Sequence, residues 1–466
     1  MGEEHFPKER LIEKLESEFP GRFARDKTTL RLYSRDYWPL ALLKETRGEE
    51  LPLPLGVVWP ESVEEVSRII KLCNDYRIPF VPYAGGSGVI GGTICKDCVV
   101  IDVKRMNKVI SFSEEDAIVV VESGILLKKL EDFLNSRGFT LRHIPQSFPE
   151  AAIGGLIATM STGQFSTKYG GIEELVLDLE VVTPDGSIIP LRKNTVPRAA
   201  TGPNLKYLLI GSEGQLGVIT KAVLRVFRLP KNQWKNSYAF PDFESGLKAM
   251  RELMLSGLTP AVARLYDRDD ASLRFHHDRD ILLLIFEEDN ERLLSVKTEE
   301  SEKIIKNYGG VAIGPEPVEK WLATRFDVIS ELKKLVVPLN LWFDTIETAA
   351  TWSALPRVYR VFKERVKKVK GVYAVLAHAS HFYTTGACIY FTLTYEANEE
   401  TYWRMWEEAM KTLLETGATI SHHHGIGLLR KKWVRDELGD TLEYLKRIKR
   451  CLDPNNVSNP GKWLGE

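Results

Sequence analysis

Cysteine is scarce: five residues in a chain of 466, an odd number too small for a disulfide framework, so reduced thiols and a cytoplasmic compartment are expected. Long apolar runs are missing as well. The densest, Ile281 to Phe286, has six residues, against the ~20 that span a bilayer. The start, MGEEHFPKERLIEKLESEF, carries charges throughout and has no apolar stretch of the kind a signal peptide needs. Neither sign of charge dominates. Lys+Arg at 63 against Asp+Glu at 64 leave a formal charge of -1, without the basic surplus that neutralises nucleic-acid phosphates. With 44% hydrophobic and 27% charged residues, what is present is the composition of a soluble globular protein. The length suits roughly three domains.

Residues 1–50 read as a helical lead-in, with Leu11, Ile12, Leu15 and Phe19 at helical spacing and Pro20-Gly21 as a stop. LPLGVVWP then reads as a strand, and Ser62 with Glu65 as a capping box. The helix it opens puts Val63, Val66, Ile69, Ile70 and Cys73 on one face, and IPFVPY (78–83) is the next strand. A second unit follows, with AIVVVES (117–123) as strand, 125–137 as helix, Gly138 as its stop and FTLRHIP as an extended piece. LVLDLEVVTPDGSIIPL predicts a hairpin about Pro184-Asp185-Gly186. After Leu229-Pro230 the texture changes to helices such as 243–255 mixed with strands such as 281–286. The domains expected are the lead-in, 51–230, a cap at 231–415 and a C-terminal segment at 416–466.

Gly86, Gly88 and Gly91 form a G-x-G-x-x-G inside GGSGVIGG, which invites a Rossmann reading. Context opposes it, because TICKDCVVIDV follows as loop and then strand, and no helix N-terminus meets the pyrophosphate. The loop offers bare amides instead. Glycine clusters recur at 154–171 and 211–217, and three clusters in one half of a chain point to one long ligand.

PYAGGSGVIGG, AAIGGLIATMSTG and GSEGQLGVIT, in that order, resemble the FAD-binding fold of vanillyl-alcohol oxidase and p-cresol methylhydroxylase. The resemblance implies an α+β protein: a two-subdomain FAD-binding domain of the p-cresol methylhydroxylase type plus an α/β cap. It also implies that Pro82, Tyr83, Ala84, Gly85, Gly86, Ser87, Gly88 and Val89 hold FAD from the first loop. Gln146, Ser147, Ile153, Gly154, Gly155, Thr159, Ser161, Thr162 and Gly163 would do so from the second. Glu213, Gly214, Gly217, Val218 and Ile219 would contribute from the third, and Asn459 from the C-terminus. Attachment is expected to be non-covalent, since the first loop offers only Ser87, Val89 and Ile90 and no histidine falls between Ala151 and Phe227.

Five of the nine histidines fall in two segments, SHHHGIGLLRKKW (His422, His423, His424) and AHASHFYTTGACIYF (His378, His381). Glycines beside them permit close approach, and Tyr383 in the second segment can exchange a proton. PRAATGPNLKYLLIGSEGQLGVIT, IETAATW, TTGACIYF, SHHHGIGLLRKKW and LDPNNV resemble the alkyl-dihydroxyacetone-phosphate synthases. That likeness implies catalytic roles for Tyr383 and His422 to His424 and a supporting role for Arg264. VEKWLATRFD and the NPGK at 459–462 resemble the FAD-dependent D-2-hydroxy acid dehydrogenases, D-lactate and glycolate dehydrogenases among them. In that group the arginine matching Arg325 grips the substrate carboxylate, as a bidentate guanidinium can.

Departures from both patterns are visible. His378 stands where the synthases carry arginine, and Thr385 where the dehydrogenases carry a second metal-binding histidine; their E-H-G becomes His423-His424-Gly425. No metal site is assigned. A divalent ion on His378, His381 and His423 is the less favoured alternative. The expected reaction is oxidation of a small-molecule D-2-hydroxy acid, with Arg325 on the carboxylate, His424 or His422 as base, and Tyr383, His378 and His381 around the hydroxyl. Electrons pass to an external acceptor. The alternative is synthase chemistry. Cys95-x-x-Cys98 has the spacing of half a zinc ribbon, but no second C-x-x-C exists, so a loop with two buried thiols is expected. LLRKKW (428–433) and VKKVK (366–370) read as solvated faces, with peripheral membrane contact as a weaker reading, and a homo-oligomer is expected.

Overall fold

The computed structural model describes residues 5–327, 330, 334 and 336–465. The first strand-helix-strand unit forms as the sequence predicts. Gly56–Val58, Val99–Asp102 and Phe80–Tyr83 pair in parallel, with Phe23–Ala24 antiparallel at the edge. The Ser62 hydroxyl accepts from the Glu65 amide at the start of the helix Val63–Asp75. This helix buries Val66, Ile69, Ile70 and Cys73, and each large aliphatic side chain so removed from water stabilises by about 2 kcal/mol. No helix opens at the first glycine loop; the chain runs on into Val99–Asp102.

A second sheet is antiparallel, in the order Val109–Ser113, Ile118–Glu122, Val218–Arg225, Val176–Val182, Ile188–Pro190. Its hairpin turns where expected, the Asp185 carboxylate taking the Thr183 hydroxyl and the Ser187 amide. Val182 and Val218 pack with Val58, Phe80 and Ile101 in one apolar cluster, which joins the two sheets.

The third sheet has seven antiparallel strands: Val311–Gly314, Asn232–Phe240, Asp280–Glu288, Val262–Tyr266, Val372–Phe382, Gly386–Glu396 and Leu341–Thr351. Ala263, Leu265, Ala377, Ala379, Ile389, Phe391 and Ile346 face a core built with helices Phe243–Leu255, Leu355–Lys367 and Glu399–Thr416. Alternate residues of those strands point the other way. Register puts Tyr266 opposite His378, His378 opposite Tyr390, and Tyr390 opposite Glu347, so four polar side chains form one row across four strands. This row is the wall on which the candidate site is built. The ends of the chain tie the parts together: Trp38 Nε1 donates to Tyr402 Oη at 2.8 Å, and the Phe80 amide donates to Val457 O at 2.7 Å.

Two sequence readings change. Cys95 and Cys98 are paired as a disulfide rather than lying apart as thiols, because the tight turn between the glycine loop and Val99 brings the two side chains together. LLRKKW is a solvated face only in part. Arg430 is fully buried against Glu347, whereas Lys431 and Lys432 are exposed, the first donating to Gly461 O and the second pairing with Glu407. Among the described residues no helix is long and apolar enough to cross a membrane.

Candidate active site

The three glycine stretches converge. A Cβ on Gly85 would lie 2.4 Å from Glu150 O and 2.9 Å from the Ala152 amide, and one on Gly214 would meet the Pro82 ring at 2.9 Å. The Gly211 and Glu213 amides donate to Ile157 and Ala158 carbonyls. Asp36, which the sequence does not single out, braces the first loop by accepting from the Trp38, Gly91 and Gly92 amides, and burial pushes its carboxyl up to about 6. Among the described residues, the amides of Gly85, Gly86, Ser87, Gly88 and Val89 donate to no protein acceptor. Thr93 Oγ1 and Asn459 Oδ1 are buried nearby without partners, while Asn459 Nδ2 donates to Gly92 O and Glu213 O. An open donor array walled by glycines fits a pyrophosphate. Thr162 and Gly163, whose amides are also uncommitted, extend the cradle along the second loop.

The polar row of the seven-stranded sheet faces this region. His378, 6% exposed, is held on both nitrogens, with Nε2 2.7 Å from Arg264 Nη2 and Nδ1 3.1 Å from Asp270 Oδ2. Its ring stacks between Tyr266 and Tyr390, at 5.0 and 4.7 Å. His378 therefore positions Arg264 and has no nitrogen left for a substrate hydroxyl. Arg264 Nε donates to Tyr266 Oη at 2.7 Å. His381 occupies a β-bulge with φ of 50°, and the extra residue re-aims its ring. It lies between Ser166 Oγ and Tyr390 Oη, 2.6 Å from each.

The loop 421–427 carries the three consecutive histidines and is pinned by two buried carboxylates. Glu347 Oε1 accepts from the Ser421 hydroxyl and from the amides of His422, His423 and His424; its Oε2 meets Arg430 and lies 3.0 Å from His424 Nδ1. Burial raises the Glu347 carboxyl, but Arg430 and then His424 outweigh it and hold the group well below its ordinary value. Glu213 accepts from the Ile426 and Gly427 amides. Its carboxylate is thus spent on the loop rather than offered to a cofactor. His422 Nε2 contacts Tyr383 Oη at 2.7 Å, and Tyr390 Oη contacts His423 Nε2 at 3.2 Å. Burial lowers His422 to about 4 and His423 and His381 well below the ordinary imidazole value. These rings are neutral at pH 7, the form a general base requires.

Arg325 ends the helix Glu316–Thr324, its guanidinium 5.3 Å from the Trp321 ring, 4.9 Å from Phe326 and 5.8 Å from Phe165. Among the described residues its buried Nε and Nη1 have no acceptor. Burial, then the charges of Arg142 and Arg264, lower it to about 10. The Arg264 guanidinium lies over the same Trp321 ring, also at 5.3 Å. Gln146, expected at the cofactor, donates to Arg325 O at 2.6 Å and so braces the arginine.

Metal binding on His378, His381 and His423 is not built, since the nitrogens of the first two are committed to Arg264, Asp270, Ser166 and Tyr390. Among the described residues Cys388, His422 and His423 bring one ligand atom each within 4.8 Å of one another. Burial keeps that thiol protonated by raising it well above its ordinary value, and the two histidines are hydrogen-bonded, so the trio is not assigned a metal. Glu347, Tyr390 and Ser166 escape sequence reasoning. IETAATW and TTGACIYF contain the first two, but only strand register tells which residue faces which.

Residues 54–192 match the model of the FAD binding domain, and residues 229–463 that of the FAD linked oxidases, C-terminal domain. An uncharacterised FAD-linked oxidoreductase of Escherichia coli K12, YgcU, is 33% identical over 433 residues, spanning 88% of this chain and 89% of that one. The alkyldihydroxyacetonephosphate synthase of Dictyostelium discoideum is 29% identical, over 91% of this chain and 75% of its own. The mitochondrial D-lactate dehydrogenase (cytochrome) of Arabidopsis thaliana is 30% identical, over 88% and 74%. In fold, p-cresol methylhydroxylase superposes with a TM-score of 0.81 over 100% of this chain and 98% of its own at 16% identity. The chain thus belongs to the FAD-linked oxidase family, with FAD as its cofactor.

Proposed function

We propose that the protein oxidises a D-2-hydroxy acid of the D-lactate type to the 2-oxo acid and hands the electrons to an external acceptor such as a quinone or cytochrome. The observation that carries this reading is Arg325: a half-buried arginine, walled by Phe165, Trp321 and Phe326, whose buried Nε and Nη1 have no acceptor among the described residues. Leaving a charge so placed is costly unless a ligand completes it, and a carboxylate matches its fork. When bound, FAD supplies the acceptor for the hydride from the substrate carbon. The chain supplies the rest. Arg325 fixes the carboxylate, braced by Gln146; the histidines of 422–424 take up the hydroxyl proton, His422 by way of Tyr383, which orients the hydroxyl.

A second reading, synthesis of an ether phospholipid precursor, draws on the synthase relative and on the Tyr383–His422 pair. The two separate in one experiment. Anaerobic titration of the yellow protein with D-lactate, L-lactate and other 2-hydroxy acids is expected to bleach the flavin with the D acid. No bleaching by any of them overturns the dehydrogenase reading, and exchange of a fatty alcohol into acyl-dihydroxyacetone phosphate then tests the other.

A further inference from the structure

Six side chains stand in one unbroken line. Ser166 Oγ is 2.6 Å from His381 Nδ1, and His381 Nε2 is 2.6 Å from Tyr390 Oη. Tyr390 Oη is 3.2 Å from His423 Nε2, His423 Nδ1 is 2.8 Å from His422 Nδ1, and His422 Nε2 is 2.7 Å from Tyr383 Oη. Each histidine spends both ring nitrogens within the line. A neutral imidazole carries one donor and one acceptor nitrogen, so the sense of the bond on one side of each ring fixes the other. With the Tyr390 hydroxyl donating to one histidine and accepting from the other, all five bonds run from Ser166 towards Tyr383, or all five the other way.

Such a line can move a proton without moving an atom far. A proton arriving on the acceptor nitrogen of one ring releases the proton on its other nitrogen to the neighbour, and the last member gives one up. The line then has the opposite polarity, with nothing gained or lost. The ends differ in setting. Ser166 is 6% exposed and lies three residues beyond Gly163 of the second glycine stretch, whereas Tyr383 is 38% exposed. Glu347, Arg264, His424 and Cys388 flank the line without interrupting it.

We infer that Ser166, His381, Tyr390, His423, His422 and Tyr383 form a proton relay between the buried Ser166 and the exposed Tyr383, with Tyr390 as its central link. As a step in turnover it rests on the proposed oxidation. There the hydride of the substrate C–H bond would pass to bound FAD, the hydroxyl proton would enter the line at the hydroxyl of one end, and the hydroxyl at the other end would give one proton up. A relay is what this site requires, because a ring that burial keeps neutral cannot store the proton it accepts.

The test separates the relay from the substrate. In flavin-loaded protein with 15N-labelled histidine at pH 7, nitrogen NMR is expected to show His381, His422 and His423 neutral. His381 and His422 should be the same tautomer and His423 the other, whichever polarity prevails. A protonated ring, matching tautomers on His422 and His423, or shifts of metal-bound nitrogen would overturn the relay. Tyr390→Phe keeps the ring stacked on His378 and removes only the hydroxyl. It is expected to slow flavin reduction by about tenfold or more and to change the solvent deuterium isotope effect. Reduction with wild-type rate and isotope effect would remove Tyr390 from the path. If no hydroxy acid reduces the wild-type flavin, the proposed oxidation fails while the tautomer pattern still decides the relay.

Discussion

Glu347 and Arg430 form an ion pair from which solvent is wholly excluded, both side chains being 0% exposed. The strand Leu341–Thr351 fixes the carboxylate, and the pair in turn fixes the three amides of His422 to His424. Removing one partner of a buried pair leaves the other charge uncompensated, at a cost of about 3–5 kcal/mol. Glu347→Gln is therefore expected to lower the stability of the protein by that amount in urea unfolding. Its activity should fall as well, since the histidine loop loses its anchor.

The first glycine loop predicts a contrast between two neighbouring positions. A methyl group on Gly85 would press on backbone at 2.4 Å, which cannot yield as a side chain can, whereas one on Gly92 meets only Ile90 at 3.6 Å. Gly85→Ala should purify with little FAD and Gly92→Ala with nearly the wild-type flavin-to-protein ratio, as read from the absorbance spectrum.

How much of this was legible beforehand depended on whether neighbours in sequence are neighbours in space. The helix Phe243–Leu255 appears within the bounds its periodicity predicts, and Ser62 caps its helix through Glu65, because both are local matters. The rejection of a Rossmann turn at Gly91 likewise needed only the residues that follow it. Tyr390 and Glu347, by contrast, face each other across strands 43 residues apart in the chain, and hydrophobic alternation marks the inward face without naming partners. His381 required a bulge, which no pattern in AHASHFY announces. Arg430 looked like part of a basic run and is buried because Glu347, 83 residues earlier, is there to meet it.

Arg325 makes opposite predictions for stability and for binding. Its Nε and Nη1 have no acceptor among the described residues, so Arg325→Met removes an uncompensated charge and puts an apolar side chain where the guanidinium lies over Trp321. Thermal unfolding of the substrate-free protein is expected to show no loss, and a gain of roughly 1 kcal/mol. The KM for D-lactate should rise about tenfold to a hundredfold, the worth of roughly 1.5–3 kcal/mol for a hydrogen bond to a charged group. A lower melting temperature with unchanged KM would show the arginine to be structural.

Acid should unfold the protein through its buried imidazoles. Burial lowers His143 to about 3, and burial then Arg264 lower His378 to about 4; in the unfolded chain both titrate near 6.5. Between about pH 4 and 6.5 the unfolded state holds protons that the folded state does not, so stability is complete above that window and falls as pH drops through it. Asp36, Asp280 and Asp344 act in the opposite sense, because burial raises each to about 6 and their protonated forms favour the fold. The net slope is a difference, and one histidine can be isolated by removing it. His143 Nδ1 has no partner and Nε2 only Ser161 at 3.3 Å. His143→Gln should therefore flatten the dependence of unfolding free energy on pH by up to about 1.4 kcal/mol per pH unit in this window. Urea unfolding at a series of pH values measures it, and a slope equal to that of the wild type would mean that His143 is charged in the folded protein.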